Sequence, residues 1–338
     1  MAIKIVIILA CLIFVFSSSV KAFSPEIIEK AQKSVFGISL APIDSQRPFF
    51  ERSDFNVRGT GFHIGRGYVA TNHHVITTYF IDKDLPPFIA DEITLISFDR
   101  KEYSAKLIGT DESYDLAVYH IRGAFPEDIA TFAEQEARSG MEAFVIGYPM
   151  GPERISDQKI SYGWVGNPNK ELKNIGLRLF ELNADVCHGN SGSPIFNAQG
   201  VVIGIIESIF QIKDIPCSSF AFAISSHHAK KIIEDIIRYG KARHAWIGVD
   251  LRYEKYHGEW FPAVEKIIAG SPAERSGLKI GDIILSISGK PVRKIIDVKR
   301  IILEQSYAGE MLVLRVIRDG HERAITTMVV ERLGKPPQ

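Results

Sequence analysis

The stretch DVCHGNSGSP, from Asp185 to Pro194, sets a serine between two glycines immediately before a strand-like segment. Gly189 and Gly192 allow a tight turn around Ser191, because glycine adopts backbone conformations that other residues avoid. Such a turn can present the Ser191 hydroxyl as a nucleophile, or it can be an ordinary surface turn. The rest of the chain has to decide between these two interpretations.

The composition indicates a globular chain of more than one domain. Its 338 residues exceed what one hydrophobic core usually organises, and 46% of them are hydrophobic, so two or three domains are expected. Forty basic and forty acidic residues balance to zero formal charge. Because a nucleic-acid-binding chain usually carries a basic surplus, nucleic acid is not expected as a partner.

Residues 1–22 have the order of a secretory signal peptide. Lys4 precedes an apolar run from Ile5 to Phe16, and small and polar residues follow as far as Ala22. The run is short for a bilayer-spanning helix, so we predict cleavage near Ala22 and a periplasmic or secreted protein. An uncleaved membrane anchor is the alternative. A lipoprotein cysteine at Cys11 is disfavoured, because the apolar run continues beyond it.

Two cysteines, Cys187 and Cys217, remain once the predicted signal peptide is removed. Export would place them in a compartment that permits disulfides, so we expect them to pair. Two buried free thiols are the alternative. In the chain-entropy account, closing a loop of about thirty residues stabilises a fold by roughly 3 to 4 kcal/mol.

The first part of the chain is predicted to be mostly β-structure. A short helix is expected from Pro25 to about Lys33, because Ser24 is a preferred N-cap and proline suits the first helical turn. Short segments rich in Val, Ile and Phe follow, separated by turn residues, and this indicates an all-β barrel or sandwich. These segments are SVFGISLA, GTGFHIG, GYVATNH, EITLISF, YSAKLIGT, DLAVYHI, EAFVIGY, KISYGWV, LRLFELNA, SPIFNA, VVIGIIES and FAFAIS.

A change of pattern marks the end of the first domain. Ser225 and Ser226 cap the segment HHAKKIIEDIIRYG, in which the isoleucines share one helical face and Gly240 comes last. We therefore predict a helix that closes the domain there. Residues 241–245 are short, basic and without apolar periodicity, and are predicted to be a linker.

The C-terminal part contains WIGV at Trp246, AGSPAERSGLKIGDIILSISGKPV at Ala269, a predicted helix from about Val298 to Gln305 and a hairpin with the turn RDGHE. In this order the residues resemble a PDZ domain of the kind appended to bacterial proteases, covering residues 246–335.

The PDZ resemblance implies a site for a peptide C-terminus. It assigns the terminal carboxylate to the backbone amides of Ile247, Gly248 and Val249, while the peptide adds a strand to a sheet edge. Gly248 suits this role because a side chain there would obstruct the carboxylate. An ordinary strand glycine is the alternative.

Two further motifs supply what a serine nucleophile needs, a base to take its proton and a third group to orient that base. His74 lies in ATNHHVI and Asp115 in SYDLAVYHI, so the chain order is His, Asp, Ser, as in chymotrypsin-type double β-barrels. Each motif alone is weak. Together, within an all-β domain, they predict a catalytic Ser191, with His73 as the rival base.

The pieces GTGF, GYVATNHHV, DESYDLAVYHI, GNSGSP, GVVIGI and FAFAISS fall between residues 59 and 224. This region resembles the protease domain of the HtrA (Deg) family of exported serine endopeptidases. The resemblance implies a mostly β fold, with a chymotrypsin-like double β-barrel over residues 23–240. The PDZ domain, an α+β unit with a partly open β-barrel, would follow.

The family resemblance also implies the role of each site residue. Ser191 would attack the scissile carbonyl, His74 would act as base and then as acid, and Asp115 would hold the imidazole tautomer. The turn Gly189, Asn190, Ser191 would form the oxyanion hole, with the amides of the first and third as donors. The motif places the catalytic histidine directly before valine, which favours His74 over His73.

Some residues depart from the expected pattern. Asn190 has no charge to pair with a freed N-terminal ammonium, so activation by clipping a propeptide is not expected. Ser193 stands where a second glycine is usual. Glu207 lies on the strand expected to hold the substrate backbone and would bring a second carboxylate close to Asp115.

Asp185 lies six residues before Ser191, the spacing at which trypsin carries the aspartate at the base of its S1 pocket. A carboxylate in that pocket would favour Arg or Lys at the cleavage point. HtrA relatives prefer small aliphatic residues, and the alternative is that Asp185 faces solvent or a loop.

These interpretations predict an endopeptidase that degrades unfolded or damaged exported proteins, with the PDZ domain selecting protein C-termini. The alternatives are a catalytically silent chaperone or stress-sensing scaffold, and a regulatory protease that cuts one partner. No cofactor or metal is expected, because no cofactor fingerprint or metal-ligand spacing is present in the sequence. Relatives form trimers through N-terminal contacts, so a homotrimer is expected, with Phe23 as a candidate contributor.

Overall fold

The computed structural model describes residues 23–40, 57–78, 87–149, 157–171, 178–209, 217–304, 306 and 308–332. The predicted signal peptide lies outside these described residues, and so do the last residues of the predicted PDZ domain. Within the described ranges no helix combines the length and apolar character needed to cross a bilayer.

The first helix and first barrel follow the predicted order. Helix α1 spans Pro25–Lys33, with Ser24 as its N-cap residue and proline in its first turn, which confirms the prediction. The strands that follow are β1 Val35–Ser39, β2 Val57–Gly65, β3 Tyr68–Thr71, β4 Thr77–Thr78, β5 Phe88–Ile89, β6 Glu92–Ile96, β7 Glu102–Asp111 and β8 Leu116–Ile121. Six of them close into a barrel in the order β1, β2, β3, β8, β7, β6, while β4 pairs with β5.

The second barrel is built from the next group of strands. They are β9 Glu142–Gly147, β10 Lys159–Val165, β11 Lys170–Glu171, β12 Arg178–Cys187, β13 Pro194–Asn197, β14 Val202–Ile209 and β15 Cys217–Ser225. The sheet runs β10, β9, β13, β14, β15, β12, β11, and a further pairing of β10 with β12 closes it. The predicted double β-barrel is confirmed, because both groups of strands close into barrels. Each predicted strand segment corresponds to one of the strands β1 to β15.

Helix α2, Ser226–Tyr239, ends the first domain with the predicted caps. Ser225 precedes it in an extended conformation, and Gly240 ends it in the left-handed conformation at φ 74°. The isoleucines Ile232, Ile233 and Ile236 are buried. Burial of this apolar face explains why the amphipathic segment folds as a helix at this position.

The C-terminal domain has its own sheet and core. Its strands and helices are β16 His244–Trp246, β17 Val249–Tyr256, β18 Glu259–Ile267, α3 Pro272–Arg275, β19 Ile283–Ile287, β20 Lys290–Pro291, α4 Ile295–Lys299, β21 Met311–Arg318, β22 His321–Met328 and β23 Val330–Arg332. The main sheet runs β17, β18, β19, β21, β22. Strand β17 therefore occupies an edge of this sheet.

Two details of the C-terminal domain differ from the expectations. The predicted linker is partly structured, because His244 and Ala245 belong to β16, which pairs with β23. The predicted helix begins earlier, at Ile295, and continues as a π-helix over Arg300–Glu304. Asp297 Oδ2 accepts the backbone N–H groups of Arg293 and Lys294 at 3.0 and 2.9 Å, which stabilises the earlier start.

Candidate active site

His74 and Asp115 meet at the edge of the first barrel. His74 opens a short 3₁₀ turn after β3, and Asp115 directly precedes β8. Nδ1 of His74 lies 2.6 Å from Oδ2 of Asp115, and the His74 backbone N–H donates to Oδ1 at 2.8 Å. Both oxygens of one carboxylate thus hold one histidine, which fixes the ring and leaves Nε2 on its opposite side for proton transfer.

Asn72 supports this pair and was missed by the sequence reasoning. Its Nδ2 donates to the backbone carbonyl of Asp115 at 2.8 Å. Asp115 has a left-handed backbone with φ 52°, an uncommon conformation for a residue with a side chain. The Asn72 contact therefore helps to hold a strained turn, and the position of Asn72 directly before the two histidines is the only signal in the sequence.

The two adjacent histidines have different environments. His73 is buried, with Nδ1 2.7 Å from Thr110 Oγ1 and Nε2 3.2 Å from Thr77 Oγ1. Burial lowers its pKa and outweighs the neighbouring negative charges that act in the opposite direction. His73 is therefore a structural residue on the inner side of the turn, whereas His74 contacts the carboxylate.

The surroundings of His74 change its pKa. Partial burial lowers its pKa, but the hydrogen bond and charge of Asp115, together with the charge of Glu207, outweigh burial and leave the pKa raised. The His74 side chain is still 43% exposed, so a bound substrate can reach it. This arrangement suits a general base that gains a proton during a reaction.

The turn that carries Ser191 is bonded to strand β2 of the first barrel. The Thr60 N–H donates to the Ser191 carbonyl at 2.9 Å, and Thr60 Oγ1 donates to the Gly189 carbonyl at 2.8 Å. On the other side, the Gly192 N–H donates to the Ile206 carbonyl of β14 at 3.0 Å. Both barrels therefore position the turn.

Gly59 brings the serine and histidine segments together. A Cβ at Gly59 would lie 2.6 Å from both Cγ atoms of Val75 and 3.1 Å from the carbonyl oxygen of Ser191. The residue after His74 and the backbone of Ser191 thus pack against one glycine. A side chain at Gly59 would push them apart, which gives the predicted GTGF motif a physical role.

The turn that leads to Ser191 is tied to a disulfide. Cys187 is bonded to Cys217, and the two residues are paired neighbours on β12 and β15. The Asn190 N–H donates to the Cys187 carbonyl at 3.1 Å, and Gly189 has a left-handed backbone at φ 93°. The disulfide therefore anchors the start of the turn that leads to Ser191.

Ser193 is accommodated because Gly147 faces it. Ser193 is fully buried, and a Cβ at Gly147 would overlap with its hydroxyl oxygen. The same Cβ would lie 3.2 Å from Asn190 Oδ1, so the space is filled on more than one side. Ser193 has a larger side chain than the glycine usual at this position, and Gly147 leaves space for it because glycine has no side chain.

Asp185 is exposed on β12 and accepts a hydrogen bond from the Ser219 hydroxyl at 3.0 Å. It lies where the β12–β15 pairing shifts register, between Asn183 and Val186. The side chain is thus accessible from solvent and held by a neighbouring strand. This geometry is compatible with an open pocket wall and with a purely surface position.

In the described part of the chain, no group of His, Cys, Asp and Glu side chains is arranged to hold a metal ion. The charges of two carboxylates, Asp115 and Glu207, both raise the pKa of His74. Glu207 is the second carboxylate that the sequence left without an explanation.

The predicted carboxylate-binding residues form the entry to edge strand β17. Gly248 has φ 92°, and a Cβ there would overlap with Ser271 at the start of α3. The Ile247 and Gly248 carbonyls accept the N–H groups of Ala273 and Ile268 at 2.8 and 3.0 Å. These bonds fix the loop that immediately precedes β17, the strand at one edge of the main sheet.

Two known domain families match this chain, one in the double β-barrel and one in the C-terminal domain. The trypsin-like peptidase domain family matches residues 59–205, and the PDZ domain family matches residues 264–318.

Several curated proteins are similar over most of this chain. A probable periplasmic serine endoprotease DegP-like from Ectopseudomonas mendocina is 30% identical over 306 residues, which cover 84% of this chain and 61% of that protein. The serine protease Do-like HtrB from Bacillus subtilis is 25% identical over 289 residues, covering 79% of this chain and 60% of the relative. The chain spans about three fifths of the length of these relatives.

Solved structures show the same fold. The HtrA-type protease AlgW with a decapeptide is 23% identical with a TM-score of 0.72, covering 92% of this chain and 98% of that one. A serine endoprotease from Yersinia pestis is 23% identical with a TM-score of 0.64, covering 91% and 97%. At this identity the similarity concerns the arrangement of the backbone.

Proposed function

We propose that this chain, which belongs to the HtrA family of trypsin-like serine proteases with a C-terminal PDZ domain, is a serine endopeptidase. The observation that carries the proposal is the two-point attachment of His74 to Asp115, next to a serine turn that both barrels hold. We assign catalysis to residues 23–240 and peptide recognition to residues 246–335.

The proposed reaction follows from the geometry of the site. Ser191 Oγ attacks the scissile carbonyl while His74 Nε2 takes its proton, and Asp115 stabilises the imidazolium that forms. The amides of Gly189 and Ser191 stabilise the developing oxyanion, where one donor is typically worth about 3 to 4 kcal/mol of the barrier. His74 then returns the proton to the leaving amine, and water releases the acyl group.

Casein digestion by the wild type and by Ser191→Ala tests the enzyme assignment. Removing the nucleophile should lower the rate by at least about 10⁴-fold, because the remaining groups supply only residual catalysis. Ser104→Ala, which removes a hydroxyl from β7 of the first barrel, serves as the matched control and should keep full activity. Equal digestion by wild type and Ser191→Ala would contradict a protease.

The proposed substrates are unfolded or damaged exported proteins, with the PDZ domain selecting their C-termini. The supports for this are the position of β17 at one edge of the main sheet and the Gly248 loop that precedes it. Failure on casein with cleavage of one specific protein would instead indicate a narrow regulatory protease. Peptide binding without any cleavage would indicate a chaperone or stress-sensing scaffold.

The residue preferred at the cleavage point depends on Asp185. Parallel assays with otherwise identical peptides that carry Arg, Lys, Val or Ala at that position distinguish the two interpretations. A preference for Arg and Lys that is lost in Asp185→Asn would place the carboxylate in the pocket. A preference for Val or Ala in the wild type would show that the Asp185 carboxylate does not line the pocket.

A homotrimer is part of the proposal, and an aromatic surface supports it. Phe23 stacks on Tyr162 with ring centroids 5.5 Å apart, and Tyr162 and Trp164 are 54% and 56% exposed. Tyr162 and Trp164 share one face of β10, because alternate residues of a strand point the same way. Light scattering of the wild type should give three times the monomer mass. Trp164→Ala should lower the measured mass.

We further propose that the protein acts in the periplasm or outside the cell, after cleavage near Ala22. The similarity to DegP-like proteins that are named periplasmic supports export. Mass spectrometry of protein recovered from the exported fraction should give an N-terminus close to Phe23.

A further inference from the structure

Thr60, on β2 of the first barrel, has a hydrogen-bond partner for each of its three polar atoms. Its backbone N–H donates to the Ser191 carbonyl at 2.9 Å, and its carbonyl accepts the Thr71 hydroxyl at 2.7 Å. Its side-chain Oγ1 donates to the Gly189 carbonyl at 2.8 Å and accepts the Tyr148 N–H at 3.0 Å. One residue thus joins the serine turn to the ends of β3 and β9.

The direction of the two hydroxyl bonds is fixed by their partners. A backbone N–H can only donate, so the hydroxyl oxygen accepts from Tyr148 and its single proton is left for the Gly189 carbonyl. Thr60, Tyr148 and Gly189 are all buried. Removing the hydroxyl would therefore leave two backbone groups without this partner where solvent does not readily replace it.

The Gly189 carbonyl belongs to the peptide group that lies between the two proposed oxyanion donors, the N–H groups of Gly189 and Ser191. At the other end of that peptide group, the Asn190 N–H donates to the Cys187 carbonyl at 3.1 Å. Thr60 and Cys187 therefore hold the peptide group from both ends. Its orientation sets the direction of the N–H groups on either side of it.

Gly189 has no side chain that could hold this orientation. Its φ is 93°, and glycine adopts such conformations about as readily as those with negative φ. The backbone at this position is thus free to take more than one arrangement. A contact from elsewhere in the fold has to select one, and the Thr60 hydroxyl bonds the Gly189 carbonyl directly.

The same threonine is linked to the histidine segment. Thr71, whose hydroxyl donates to the Thr60 carbonyl, ends β3 three residues before His74. Gly192 packs against this contact, because a Cβ at Gly192 would lie 2.1 Å from the Thr60 carbonyl oxygen. Thr60 therefore fixes the serine turn relative to the strand that leads to the proposed base.

We propose that Thr60 is a positioning residue, whose hydroxyl orients the peptide group between Gly189 and Asn190 so that the two oxyanion donors converge on the substrate carbonyl. The proposal rests on the proposed proteolytic function. Because Thr60 is buried, it acts through the turn and not by contact with substrate. Preorganised donors stabilise charge that develops in the transition state, so loss of the hydroxyl should lower kcat and leave KM nearly unchanged.

The first experiment compares Thr60→Val with Thr60→Ser in peptide hydrolysis. Valine keeps the shape of the side chain but has no hydroxyl, so kcat should fall about ten- to hundredfold, with KM within about twofold of the wild type. Serine keeps the hydroxyl and should retain most of kcat. Thr60→Ala also removes the hydroxyl and replaces Thr60→Val if that variant does not fold.

Thr94→Val is the matched control for the kinetics. It removes a buried hydroxyl from β6 of the same barrel and should keep the wild-type kcat. Equal kcat for Thr60→Val and Thr60→Ser overturns the proposal. A loss confined to KM, or an equal loss of kcat in Thr94→Val, overturns it as well.

The second experiment observes the Gly189 carbonyl without requiring catalysis. The sequence contains two Gly–Asn bonds, one between Gly166 and Asn167 and one between Gly189 and Asn190. Labelling with ¹³C-carbonyl glycine and ¹⁵N-asparagine therefore gives two correlated NMR signals. Asn167→Asp removes one of them and so identifies both.

The Gly189 signal should depend on the Thr60 hydroxyl, because the ¹³C shift of a carbonyl changes when it loses a hydrogen bond. In the Ser191→Ala background, which prevents self-digestion, Thr60→Val should move the Gly189 signal and Thr60→Ser should not. The Gly166 signal should stay in place in both variants, which shows in the same sample that the second barrel is folded. An unmoved Gly189 signal in Thr60→Val overturns the proposal.

The two experiments separate the failure of this proposal from failure of the proposed function. If the wild type cleaves no substrate but the Gly189 signal moves in Thr60→Val, Thr60 orients the turn and proteolysis is wrong. If the wild type cleaves and the kcat of Thr60→Val is unchanged, proteolysis stands and the role of Thr60 is wrong.

Discussion

His244 contacts Asp111 across the boundary between the two domains. Nε2 of His244 lies 2.6 Å from Oδ2 of Asp111, and its ring stacks on Tyr114 with centroids 5.1 Å apart. Asp111 Oδ1 also accepts the Tyr114 N–H at 2.8 Å, within the turn that ends at Asp115. The first strand of the C-terminal domain is thus bonded to the turn that carries the proposed catalytic aspartate.

Replacing His244 should loosen this boundary. His244→Ala removes a hydrogen bond to a mostly buried carboxylate and a stacked ring, so we expect a loss of about 1 to 3 kcal/mol in the free energy of unfolding. Urea unfolding in the Ser191→Ala background, which prevents self-digestion, measures it. His321→Ala, an exposed histidine in the β21–β22 turn region, is the control, and equal midpoints for the two variants would contradict the contact.

Removing the disulfide should weaken both stability and turnover. Cys187→Ser with Cys217→Ser opens a loop of 30 residues beside the Ser191 turn, so we expect a loss of about 2 to 4 kcal/mol in the free energy of unfolding and a lower kcat. Urea unfolding and peptide hydrolysis with and without dithiothreitol measure both effects. The reductant should affect the wild type and leave the double variant unchanged. An effect of equal size on both proteins would point to another cause.

The pair Gly147 and Ser193 should behave as a unit. Gly147→Ala overlaps with the buried Ser193 hydroxyl, so we expect a destabilisation of about 1 to 3 kcal/mol, as for other overpacked cores. Adding Ser193→Gly removes the overlapping atoms and should recover most of the loss. A double-mutant cycle from urea unfolding measures the coupling. Additive effects would show that the two residues do not share this space.

Gly248 should be required for peptide binding, unlike a comparable glycine elsewhere in the domain. Gly248→Ala introduces both a left-handed backbone strain and an overlap with Ser271, so binding of peptides with a free C-terminal carboxylate should fall at least tenfold. Gly258 has a similar φ of 86° but open space around it, so Gly258→Ala is the matched control. Fluorescence anisotropy with free and amidated peptides measures the difference. Equal binding by the two variants, or by the two peptide forms, would reject the carboxylate loop.

The sequence by itself determined the elements and the residue types of the site. The alternation of apolar residues and turn residues predicted the strands, and Ser225 with Gly240 predicted the bounds of α2, because these signals depend on neighbours in the chain. The motifs around His74, Asp115 and Ser191 indicated acyl-transfer chemistry for the same reason, since each is a short local pattern.

Only the tertiary structure decided which residues support that chemistry. Thr60 holds the carbonyl of Gly189, 129 residues away, and Gly147 makes room for Ser193 from another strand. The β14 bulge at Glu207, between Ile206 and Ser208, likewise depends on strand register. The contact of His244 with Asp111 depends on domain packing. Such contacts join residues that are distant in the chain and leave no periodic signal along it, so they become visible only once the barrels have closed.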